Sequence, residues 1–379
     1  MLSRCVRILS CIVLFISLFP INVQANTLTI SAQSAVVMVA ATGEVLYSKN
    51  EYEKRGIAST TKIMTCVVAL ENAALSDVVT VTEKDVTIEG TSIGLKAGDS
   101  VSLITLLKGM LLESGNDAAN ATAKLVSGSV ESFSALMNEK AGILGMQNTL
   151  FKNPSGLTEK DHYSCAYDMA LLGSYAIKNS VFKSICSMNK CSVSMGTPSY
   201  ETTFYNHNKL LGRYDGAFGI KTGFTKASGR CLVSAVERNG VTLVAVTLNA
   251  YDDWNDHIKL YDYCFPMVSV SKAEINVDAY KIPVVNSDVT CFSPKLCRDI
   301  YIPYTKSVPE YDVSYFLPHF IYADVKKGDY LGWIEIRTKG GILIGKSYVV
   351  ANDNAKLRQM YSQKDLLEKI LNFIEKDRR

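Results

Sequence analysis

From Ser34 to Tyr47 apolar residues alternate around Ala41-Thr42-Gly43-Glu44, which is the period of two and the tight turn of a β-hairpin. β-Branched runs return at Cys231–Val236 and Val241–Leu248, just after Gly229. Between these stretches apolar residues mostly repeat at helical spacing. Ile63, Val67 and Leu70 follow Ser59; Leu103, Leu106, Leu107, Met110 and Leu111 fill Ser102–Glu113; further helices are expected near Ala118–Val126, Val130–Leu144 and Asp168–Lys178. Val79–Asp99 reads as short strands and turns punctuated by Gly94 and Gly98, and Val193–Phe204 alternates like a strand.

At 379 residues and 47% hydrophobic, the chain is long enough for two domains and too apolar for disorder. A net charge of +3 is nearly neutral for this size and, with no Lys/Arg run, implies no nucleic-acid surface. The start differs: Arg4 and Arg7 precede an apolar run from Ile8 to Ile21, and Val23-Gln24-Ala25 offers the small residues a signal peptidase reads. Residues 1–25 are therefore expected to be an export signal, and the mature protein to act outside the cytoplasm. Cys5 and Cys11 lie in that signal. Of the others, Cys186 with Cys191 and Cys291 with Cys297 are near enough for local disulfides, and free thiols are the alternative. Their spacing does not suit zinc, the four histidines are scattered, and no metal is expected. Cys66 is expected to be a small core residue.

Near Phe265 the character changes. Val268–Ala351 is rich in Val, Ile, Tyr and Pro, in short alternating runs, as in a small β-domain. Asp365–Lys376 places Leu366, Leu367, Ile370, Leu371, Phe373 and Ile374 on one helical face, which either packs on that domain or lies in a membrane surface. The expected organisation is thus 1–25 signal, 26–266 main domain, 267–352 β-rich domain and 353–379 amphipathic helix.

Three short motifs carry chemistry. Ser59 and Lys62, in Ala58-Ser59-Thr60-Thr61-Lys62, would share a helix face if a helix begins near Ser59, with a nucleophile beside a base. The hydroxyl needs that base, and Lys62 serves only if burial or a second cation lowers its pKa. Alone, such a pair is common by chance and reads first as an N-cap serine and an exposed helical lysine. Ser114-Gly115-Asn116 interrupts two helices and alone is an ordinary turn. Gly219-Ile220-Lys221-Thr222-Gly223-Phe224-Thr225 reads as an edge strand presenting a cation and a hydroxyl, with Gly223 allowing close approach of a ligand backbone. Together, in this order, they match the signature of penicillin-binding proteins and class A β-lactamases.

On these residues, and on Asn153-Pro154-Ser155-Gly156-Leu157, the stretch from about Ser34 to Phe265 resembles the low-molecular-weight penicillin-binding proteins, serine-type D-Ala-D-Ala carboxypeptidases. Asp253-Trp254-Asn255-Asp256-His257 resembles the branch found in spore-forming Gram-positive bacteria. The resemblance implies a mixed α/β (α+β) fold: a β-lactamase-like transpeptidase domain with an antiparallel sheet and a helical cluster. It also implies no cofactor, a peptidoglycan stem peptide as substrate, β-lactams as covalent inhibitors, and peripheral contact with the outer face of the cytoplasmic membrane.

By the same resemblance Ser59 is the nucleophile and Lys62 the proton acceptor. Ser114 relays a proton to the leaving D-alanine, Asn116 holds the substrate amide, and Lys221 supplies positive potential. Thr222 binds the terminal carboxylate, Gly223 admits the peptide, and the N–H groups of Ser59 and Phe224 form the oxyanion hole. Two departures stand out. Phe224 replaces a histidine found in some members, so its backbone alone can act. The arginine many members carry after the next strand is missing from Tyr251–His257, and either His257 or Lys221 is left to meet the carboxylate. A DD-endopeptidase uses the same motifs. A class A β-lactamase would need Glu-x-x-Leu-Asn between the second and third motifs, whereas that string here, Glu368–Asn372, follows them. A wall-binding protein with a decayed site is disfavoured because every motif residue is present.

Overall fold

The computed structural model describes residues 28–358 and residue 368. β1 (Ser34–Val39) and β2 (Val45–Lys49) form the expected hairpin. β3 (Val78–Thr80) pairs with β4 (Ser100–Ser102), and β5 (Lys190–Met195) with β6 (Tyr200–Tyr205). β7 (Ala217–Thr225), β8 (Gly229–Arg238) and β9 (Val241–Leu248) join the hairpin in one antiparallel sheet of order β2-β1-β9-β8-β7. The first strand thus pairs with one some 200 residues later. β7, with the lysine motif, lies at the edge.

Both faces of the sheet are covered, so β1 is buried at every position instead of alternating with polar residues. Val36, Met38, Val233, Val244 and Val246 face the helices Lys62–Asn72, Asn116–Ser127, Val130–Ile143 and Ala166–Ala176 within one core. The Asp253–Cys264 helix packs on β8 and β9. Fully burying a side chain of this size contributes about 1.5–3 kcal/mol, so the doubly covered sheet is a rigid platform for its edge.

Some elements differ from the sequence pattern. Val193–Phe204 is a hairpin, β5 and β6, because Pro198 cannot donate to a ladder and Gly196, at φ +89°, takes a left-handed turn. Ser180–Cys186 is a helix that the periodicity did not reveal; the Asn179 side chain caps it by accepting from the N–H groups of Val181 and Phe182.

After the Phe265–Met267 turn, residues 269–351 form short strands in three further sheets, the largest ordered Pro294–Leu296, Leu343–Ala351, Tyr330–Thr338, Tyr311–Phe316. Small separate cores support them. The eight cysteines of the described residues are free thiols, so neither expected pair is bridged. Among those residues no helix is long and apolar enough to cross a membrane. The signal and, apart from helical Glu368, the Asp365–Lys376 helix lie outside the described residues.

Candidate active site

Ala58–Thr61 forms a single 3-10 turn that runs into the Lys62–Asn72 helix. Ala58 has φ +47°, uncommon for a residue with a Cβ, and the packing holds it there. Gly156 presses on the Ala58 carbonyl so closely that a side chain at 156 would overlap it. The Thr60 hydroxyl donates to Ile57 O at 2.6 Å.

Lys62 is fully buried, and its Nζ reaches Ser59 Oγ at 2.9 Å, Asn116 Oδ1 at 2.7 Å and Ser155 O at 2.6 Å. Burial, then the nearby Lys221 charge, hold its pKa well below the usual lysine range. A neutral amine has two N–H donors and one lone pair. Asn116 Oδ1 and Ser155 O are acceptors, so they take the two donors and the lone pair faces the serine hydroxyl. The site therefore fixes the direction of the proton.

The second motif follows a π-helical turn, Gly109–Glu113, where the sequence pattern had suggested continuous α-helix. Ser114 then takes a left-handed conformation, φ 65°, and Asn116 opens the next helix. The fully buried Asp117 carboxylate anchors the turn by accepting from the Ser92 hydroxyl at 2.6 Å and from the N–H groups of Ile93 and Leu95. Asn116 is engaged at both ends, since its Nδ2 donates to Glu89 O at 2.6 Å.

β7 delivers the third motif. Lys221 is buried, donates to Thr222 O at 2.9 Å, and has its pKa pushed down by burial to about 7. A Cβ on Gly223 would stand 3.0 Å from the backbone nitrogens of both Ser59 and Thr60, so glycine allows the strand edge to lie against the nucleophile turn. Ser59, Ser114, Thr222, Gly223 and Phe224 line one cleft of about 320 Å³; Lys62, Asn116 and Lys221 lie buried behind its wall.

The loop from Asn153 is tied to the nucleophile turn by His162. Lys152 N donates to His162 Nδ1 at 3.1 Å, so the ring proton sits on Nε2 and is shared with Thr61 Oγ1 at 2.9 Å. Burial lowers this pKa to about 4, and the ring is neutral. His257 is no carboxylate partner: fully buried behind the sheet between Ser234 Oγ (2.6 Å) and Thr247 Oγ1 (2.9 Å), its pKa pushed down to about 3, it carries no charge to the cleft. The cleft is instead lined by basic side chains that the motifs did not include: Arg230 on β8, and His207 and Lys209 on the segment before β7. Arg230 pairs across the ladder with Phe224, a signal available once the strand register is known.

This arrangement agrees with known proteins. Residues 21–252 match the model of the peptidase family described as D-alanyl-D-alanine carboxypeptidase. The D-alanyl-D-alanine carboxypeptidase DacF of Bacillus subtilis is 32% identical over 346 residues, 88% of each chain. That of Streptomyces sp. K15 is 36% identical over 236 residues, 58% of this chain and 81% of the relative. The crystal structure of the Streptomyces K15 DD-transpeptidase superposes with a TM-score of 0.60 at 33% identity, over 63% of this chain and 98% of that one. The chain belongs to the D-alanyl-D-alanine carboxypeptidase family, among the low-molecular-weight penicillin-binding proteins.

Proposed function

We propose that this chain is the serine-type carboxypeptidase that removes the terminal D-alanine from peptidoglycan pentapeptide stems through an acyl-enzyme on Ser59. One observation carries the reading: the Lys62 amine lies 2.9 Å from Ser59 Oγ with its remaining donors committed to Asn116 Oδ1 and Ser155 O. Neutral Lys62 takes the hydroxyl proton as Oγ attacks the penultimate D-Ala carbonyl. The N–H groups of Ser59 and Phe224 hold the oxyanion, each such donor contributing about 3 kcal/mol in comparable sites. Collapse breaks the peptide C–N bond, and the leaving amine takes its proton through Ser114. Water then hydrolyses the ester. Asn116 fixes Lys62 and, with the second proton of its Nδ2, holds the substrate amide, Lys221 supplies positive potential, and Thr222 meets the carboxylate. β-Lactams acylate the same serine. A mass spectrum after penicillin treatment should show one adduct on Ser59; loss of neither labelling nor D-alanine release in S59A would refute the reading.

The enzyme works outside the cytoplasm. Its export by residues 1–25, and its peripheral contact with the outer face of the cytoplasmic membrane through the 353–379 helix, rest on sequence pattern. Boundaries at 26–266 and 267–352 complete the proposed organisation. Deleting residue 365 onward should release the protein from membrane fractions, and unchanged membrane association would rule out the helix as anchor.

A further inference from the structure

The cleft needs a lasting positive charge that motif reasoning did not supply. Lys62 and Lys221 are buried, and burial draws their pKa values down, so neither is a dependable counter-ion. Arg230 brings a guanidinium, a group that stays charged under all ordinary conditions. It is the register partner of Phe224, so the two side chains share a sheet face, and Thr222, two residues before Phe224, shares it as well. Arg230 and Thr222 line the cleft together with Ser59.

The guanidinium is held in place. Its Nε and Nη2 donate to Asp253 Oδ1 at 3.0 and 2.8 Å, and its carbon lies 5.8 Å from the Trp254 ring centre. Asp253 is buried, and the same oxygen accepts from Trp254 N at 2.9 Å. The Arg230 side chain is 42% exposed, and its Nη1 makes no hydrogen bond among the described residues. A fixed cation with an open donor edge, beside a strand hydroxyl, fits a carboxylate.

We infer that Arg230, positioned by Asp253, binds the free carboxylate of the C-terminal D-alanine together with the Thr222 hydroxyl, and so directs the enzyme to peptide ends. This rests on the carboxypeptidase reading above.

The test compares two pentapeptides ending in D-Ala-D-Ala, one with a free carboxylate and one with a carboxamide, by kcat/KM for release of the last residue. The parent enzyme should prefer the carboxylate. R230Q should lose about 10- to 100-fold on the carboxylate peptide, mainly in KM, and little on the carboxamide, so that the preference collapses. R230K, which keeps a charge and disturbs folding least, should recover part of it, and D253N should lie between parent and R230Q. Equal losses on both peptides, an unchanged preference in R230Q, or a collapse produced by K209Q instead would overturn the inference. Absence of any D-alanine release by the parent would refute the carboxypeptidase reading itself.

Discussion

Gly223 on the edge strand and Ser59 on the nucleophile turn touch through their backbones, a Cβ at 223 standing 3.0 Å from Ser59 N. A methyl there forces the strand or the turn to give by a few tenths of an ångström. G223A should therefore fold with near-parental stability yet acylate with penicillin about 10- to 100-fold more slowly, because oxyanion geometry tolerates little displacement. G156A is the contrast. It meets the Ala58 carbonyl at a φ of +83°, and should cost about 2–4 kcal/mol in urea unfolding.

Acylation should show an acid limb set by protonation of Lys62. Lys221 depresses the Lys62 pKa, so removing that charge in K221M should move the limb to higher pH. Rates of penicillin labelling measured against pH for the parent and K221M would show the direction of the move.

Burying Lys221 also costs stability. Its pKa falls from 10.5 to about 7, so between those values the unfolded chain binds the extra proton and stability rises with pH. Below about pH 7 the full penalty, about 5 kcal/mol, is in force. K221M should be more stable than the parent at pH 6, by less than that figure because it also loses the bond to Thr222 O, and the gap should close towards pH 10.

His162 works in the acid range. Its folded pKa of about 4 lies below the ordinary 6.5, so its stabilising share is complete above 6.5 and is lost as pH falls towards 4. The loss should reach about 3 kcal/mol, and H162Q should flatten the urea midpoint over that window relative to the parent.

The thiols give a simple check on the fold. Cys291 and Cys297 are exposed, whereas Cys66, Cys165, Cys186, Cys231 and Cys264 are buried. A thiol reagent should label the first two within the native protein and the buried five only after denaturation, with Cys191 between.

Short-range signals fixed much of this enzyme before any folding was considered. The β1–β2 hairpin, the helix after Ser59 and the edge strand around Lys221 follow from local periodicity and turn residues, and the three motifs acquire meaning from their order. Motif logic also named the hydroxyl and the amine found 2.9 Å apart. What local pattern cannot carry is pairing between distant segments. The match of Phe224 with Arg230, the withdrawal of His257 behind the sheet and the pressure of Gly156 on Ala58 arise from register and packing. Burial is likewise a property of the assembled core: the same lysine is an ordinary cation in an exposed helix and a proton acceptor once water is removed from around it.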